Sequence, residues 1–108
     1  MLVRISFLIA LLGFSSYATA IPQCSTDAIL QAGKLLAFHS DNDARISIDE
    51  KVKQLPSIRN PASKKQRFIA LEVWGYIYKG QYRMRLIYYP LGSGCVLMGQ
   101  EILEHAQL

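Results

Sequence analysis

Few residues of this chain are suited to chemistry, and their spacing limits what they can do. His39 stands in the run HSDND with Asp41 and Asp43, which offers one imidazole and two carboxylates to a cation. The run lacks the turning glycine and distal glutamate of an EF-hand loop, and short polar residues after a helix usually serve as turn and cap. No metal is expected there. The other carboxylate sets are Asp49 with Glu50, and Glu101 with Glu104, the latter beside His105. Neighbours along a strand point to opposite faces, so nothing in the pattern converges either set on one substrate. No GxSxG elbow, HExxH helix or phosphate-binding glycine loop occurs. The glycines of YPLGSGC fall in a turn between apolar stretches rather than at a strand-to-helix junction. The reading is therefore non-enzymatic, with no catalytic residue, metal or cofactor.

The densest set of interacting side chains is EVWGYIYKGQYRMRLIYYP, residues 72–90, with one tryptophan, five tyrosines and two arginines. Its period-two alternation around Lys79-Gly80 predicts two long strands joined by a two-residue turn at those residues. Ile69, Leu71, Val73, Gly75 and Ile77 then share one face with Tyr82, Met84, Leu86 and Tyr88. Counting outward pairs Ile77 with Tyr82, Gly75 with Met84, Val73 with Leu86 and Leu71 with Tyr88. The opposite face pairs Tyr76 with Arg83, Trp74 with Arg85, Glu72 with Ile87 and Ala70 with Tyr89, leaving Glu72 diagonal to Arg85. An odd-length turn would drive both arginines into the aliphatic face, which is costly for unpaired charges, so the even turn is expected. The arginines are expected to lie across Trp74 and Tyr76 as cation–π contacts.

The elements that must position this hairpin can also be read. STDAILQAGKLLAFHS predicts a helix capped by Ser25 or Thr26, with Asp27 in its first turn and an end near Ser40. Ile29, Ala32 and Leu36 form its apolar stripe, widened by Ala28, Leu35 and Phe38. ARISIDEKV alternates as a short strand through Ile46 and Ile48. QLPSIRNPASKKQR carries two prolines and is read as a loop. Its four basic residues, Arg59, Lys64, Lys65 and Arg67, read as a solvated surface, with an anionic partner as the alternative. After the LGSG connection a last strand runs to about Leu103. That loop length sends Cys95, Leu97, Gly99 and Leu103 to the helix side, Glu101 inward near Met84, and Val96 and Met98 to the other face.

The chain begins MLVRISFLIALLGFSSYATA, a charged start, a short apolar run and a small-residue pair at Ala18 and Ala20. This has the form of a signal peptide over residues 1–20 cleaved after Ala20, the apolar run being short of the ~20 residues that span a bilayer. Residues 21–108 then make one small domain with eleven Lys and Arg against eight Asp and Glu. Such a small excess, an export signal and the lack of an RNP-like run argue against nucleic acid. Cys24 and Cys95 are the only cysteines, and in an oxidising compartment they are expected to form one disulfide.

The expected fold is α+β: one N-terminal helix packed on an antiparallel meander of about four strands, with one disulfide. The expected function is a small exported domain, periplasmic or secreted, that binds a protein or cell-envelope component. Trp74, Tyr76, Arg83, Arg85, Tyr89 and Glu72 would form the contact surface. The alternative is a carrier of an apolar small molecule between helix and sheet, with room supplied by Gly75, Met84 and Gly99.

Overall fold

A computed structural model describes residues 21–107. The segment read as a signal peptide lies outside them. The first element, α1, is a helix over Ser25–His39. Its cap is Cys24, in a left-handed conformation at φ 71°, and not Ser25 or Thr26 as expected. Ser25 cannot cap because it lies inside the helix and its hydroxyl donates to the Pro22 carbonyl. Ala28, Ala32 and Leu36, spaced four apart, are fully buried. Phe38, expected to widen this stripe, is 88% exposed instead. At about 3.6 residues per turn it lies some 200° around the helix from Leu36, on the far side from the sheet.

Five antiparallel strands follow: β1 (Ile46–Ile48), β2 (Lys53–Asn60), β3 (Ser63–Ile77), β4 (Gly80–Leu91) and β5 (Gly94–Gln107). The sheet order is β1-β3-β4-β5, with β2 also paired to β3. β4 occupies one edge of β3 from Ile69 to Ile77, so β1 and β2 take successive stretches of the other. The stretch expected to be a proline loop is therefore a β-hairpin. Its prolines are tolerated for local reasons: Pro56 falls in a register shift between Leu55 and Ile58 on an edge strand, where no ladder donor is required. Pro61 lies in the turn, where the Ala62 amide donates to Asn60 Oδ1 at 2.9 Å.

The β3–β4 turn lies at Tyr78-Lys79, two positions away in register from the expected Lys79-Gly80, and Ile77 pairs with Gly80. Tyr78 adopts φ 54°, so the left-handed residue of the turn is the tyrosine and not the glycine. Both turns have two residues, so parity is unchanged and each side chain keeps its expected face. The partners differ: Gly75 pairs with Tyr82, Val73 with Met84, Leu71 with Leu86, and Trp74 with Arg83.

On the apolar face Leu71, Val73, Met84, Leu86 and Tyr88 are fully buried with Ala28, Ala32 and Leu36 in one core. Gly75 lets the helix come close. A Cβ there would stand 2.7 Å from Leu36 Cδ2 and 2.9 Å from Met84 Cε. The space it leaves is occupied by these two side chains, and Gly99, the other glycine expected to make room, pairs with Ile87 on the opposite face. Cys24 is bonded to Cys95, fastening the start of α1 to β5 across 71 residues of chain. A link of that length is worth about 4 kcal/mol by the chain-entropy argument, a large share of the stability of so small a domain.

The Tyr88 hydroxyl is the one strained choice in this core. It is buried close to the Asp27 carboxylate, and among the described residues it has no hydrogen bond of good geometry. Burial, reinforced by the Asp27 charge, raises its pKa well above the ordinary phenol value. A raised pKa makes its contribution to stability complete below about pH 10 and progressively lost as pH rises above it.

Two outcomes follow for variants of this core. Gly75→Val should cost roughly 1–3 kcal/mol in urea unfolding through overpacking, and an unchanged midpoint would mean that open space lies above Gly75. Tyr88→Phe should be neutral or stabilising by up to about 1 kcal/mol at pH 7, and should flatten the fall in stability above pH 10. A loss of more than about 1 kcal/mol at pH 7 would mean that the hydroxyl is satisfied.

Candidate functional site

The face of the sheet opposite α1 is built in rows that cross β3, β4 and β5. Trp74, Arg83 and Leu103 form one row, and Glu72, Arg85 and Glu101 the next. Further along lie Ala70, Ile87 and Gly99, then Tyr89 beside Val96. Among the described elements, helix packing on the sheet comes from α1 alone, and it covers the other face. Trp74, Tyr76, Arg85, Ile87 and Tyr89 are left half-buried, while Arg83, Val96, Met98 and Leu103 are exposed.

Two irregularities in β5 produce this arrangement. Between Ile87 and Tyr88 the register shifts, leaving Met98 as an extra residue, and between Gln81 and Tyr82 a second shift leaves His105 extra. One extra residue reverses the inward and outward sense of all that follow it. Cys95 and Leu97 therefore face the helix as expected, but Gly99 and Leu103 do not. Glu101, expected inward near Met84, pairs with Arg85 on the open face, and Ile102 takes the place beside Met84. Burial of an unpaired carboxylate is avoided, and β5 runs as strand to Gln107, beyond the expected end at Leu103.

The charges on this face are largely matched within the molecule. Arg85 Nε lies 2.8 Å from Glu101 Oε1. The pair is an ionic contact rather than an aligned hydrogen bond, since the buried Nε–H is not directed at the oxygen. Glu72, only 12% exposed, approaches Arg83 Nε at 3.8 Å through Oε1 and accepts a hydrogen bond from Trp74 Nε1 at 3.3 Å through Oε2. Glu72 thus pairs with the cation diagonal to it, while Arg85, directly opposite, turns to Glu101. Leu55 joins Glu72, Arg83, Arg85 and Glu101 around a depression of about 130 Å³.

The aromatic contacts also differ from the cation–π arrangement expected. The His105 ring meets Trp74 edge-on, with centroids 5.3 Å apart, and Phe68 meets Tyr89 at 6.3 Å. Arg45 and Lys79 instead lie over Tyr78, each 5.5 Å from the ring centre, at the turn. Arg85 finds a carboxylate because β5 delivers Glu101 beside it, and Arg83 finds Glu72 on β3. His105 and Leu103 were not expected here; with a straight strand their parity is wrong, and the unmarked extra residue Met98 corrects it.

Of the groups considered for chemistry, Asp43 is held by Arg45, whose Nε, terminal nitrogen and backbone N–H all donate to it at 2.8–3.0 Å. These bonds lower the Asp43 pKa to about 2. His39 packs edge-on against Tyr82 at 5.7 Å. Among the described residues no group of three His, Cys, Asp or Glu is close enough to hold a metal ion. No protein-family model, curated protein or solved structure matches the chain significantly.

Proposed function

We propose that the protein is a small exported, non-enzymatic domain that binds a protein or cell-envelope component through its open sheet face. Trp74 is the anchor, Tyr76, Tyr89 and Leu103 extend the apolar contact, and Arg83, Arg85, Glu72 and Glu101 form a polar surround. The observation that carries this reading is the position of Trp74. The chain's single tryptophan sits half-buried on a face that no described helix covers, in a row with Arg83 and the exposed Leu103. Tryptophan and arginine dominate binding hot spots, where a large ring is desolvated within a polar rim. The internal Arg–Glu pairs hold the long side chains in place before binding, which lowers the ordering cost on association. A partner then meets a neutral, patterned surface, so recognition is by shape and by hydrogen bonds to paired charges more than by net attraction.

Export is supported by the form of residues 1–20 and by a disulfide, a bond that persists in oxidising compartments. Among the described residues no helix is long and apolar enough to cross a membrane. The absence of enzymatic activity is supported by the engagement of Asp43 and Glu101 with arginines. The carrier alternative has little to support it, because Leu36 and Met84 fill the space above Gly75.

Retention of an envelope component on immobilised protein provides the test. Trp74→Ala is expected to weaken retention about thirtyfold, the effect of a hot spot worth roughly 2 kcal/mol. Lys34→Ala, on the exposed side of α1, should leave it unchanged. If Trp74→Ala and Arg85→Ala remain folded and retain the component as well as the unaltered protein does, this face is not the binding site.

A further inference from the structure

The end of the sheet formed by the β2–β3 hairpin and the β4–β5 turn carries a separate feature. Residues 51–71 contain six cations, Lys51, Lys53, Arg59, Lys64, Lys65 and Arg67, and no acidic residue. Two are locally balanced: Lys51 follows Asp49 and Glu50, and Lys53 pairs with Glu72 across the ladder. The other four have no carboxylate on any strand nearby, since residues 86–100, which bring β4 and β5 to this end, also contain no Asp or Glu.

The hairpin arranges these charges against its own stability. Arg59 and Arg67 are register partners, two like charges set opposite each other, which disfavours the pairing. Beyond them the register jumps from Arg59–Arg67 to Asn60–Ser63, so Lys64 and Lys65 stand out of the ladder at the tip. The tip itself is well defined: Asn60 Nδ2 donates to Gln66 Oε1 at 2.8 Å and Arg67 donates to Ser57 Oγ at 3.1 Å. At the same end of the sheet Leu91, flanking the β4–β5 turn, is 62% exposed. A shaped, uncompensated cluster of cations beside an exposed aliphatic side chain has the chemistry of a bilayer interface, where cations meet lipid phosphates and the apolar side chain enters the headgroup boundary.

We infer that this end of the molecule docks on an anionic phospholipid surface, leaving Trp74, Arg83 and Leu103, further along the sheet, free for a partner. Each Lys or Arg near such a surface contributes about fivefold in affinity, so the attraction depends on the four charges together. Salt weakens it within a Debye length of about 10 Å at 0.1 M.

The test is flotation of the purified disulfide-bonded protein with phosphatidylglycerol-containing vesicles and with pure phosphatidylcholine vesicles. Binding is expected to the anionic vesicles alone, to fall with added salt, and to weaken about twenty-five-fold in Lys64→Gln/Lys65→Gln, whose exposed positions leave folding intact. Arg59→Glu supplies the independent readout. It places a carboxylate opposite Arg67, so it should raise the melting temperature while weakening vesicle binding. Three results would each overturn the inference: equal binding to both vesicle types, binding unaffected by the lysine substitutions, or capture by soluble heparin with none by vesicles.

Discussion

The two-residue turn at Tyr78-Lys79 is the constraint on which the rest of the structure depends. In a strand each side chain alternates faces, so a loop one residue longer or shorter would exchange the faces of β4 against β3. Arg83 and Arg85 would then lie among Val73, Gly75 and Leu36, and the helix would have no apolar surface to pack on. With the even turn, Leu71, Val73, Met84, Leu86 and Tyr88 are gathered under α1, and the tryptophan and arginines are gathered away from it. The core and the candidate binding face are two products of one parity.

The helix side is closed by small residues at the points of contact. Ala28 and Ala32 on α1 and Gly75 on β3 remove bulk where helix meets sheet, and Leu36 fills what Gly75 leaves. The disulfide adds a covalent tie at one end of this contact. Together they explain how a sheet with one helix against it, among the described residues, is held. The consequence is a face that no described helix covers, on which Arg85 is matched to Glu101 and Arg83 to Glu72. Half-exposed aromatics within matched charges are compatible with an aqueous surface and also with later burial against a partner.

Much of this was legible from alternation. The faces of β3 and β4, the helix up to its C-terminal end and the pairing of Cys24 with Cys95 all follow from period, polar turn residues and compartment, whereas the cap at Cys24 does not. Features that break a period were not legible. Met98 is an ordinary residue in its sequence context, yet as an extra residue it reverses the parity of β5 beyond it and carries Glu101 and Leu103 to the open face, and His105 is a second such residue further on. Pro56 and Pro61 mark a loop by composition, but an edge strand tolerates a proline at a register shift and a turn accommodates the second. The β3–β4 turn was displaced because Gly80 is the expected left-handed residue, whereas Tyr78 takes that conformation, with Arg45 and Lys79 over its ring.

The central claim is that Trp74 lies on an open face while the helix covers the other. Because Trp74 is the only tryptophan, its fluorescence reports on that face alone. In the folded, disulfide-bonded protein, acrylamide should quench it readily, and addition of a captured partner should protect it. A blue-shifted emission that acrylamide cannot reach in the isolated protein would contradict the account, because it would place the tryptophan under cover of its own chain.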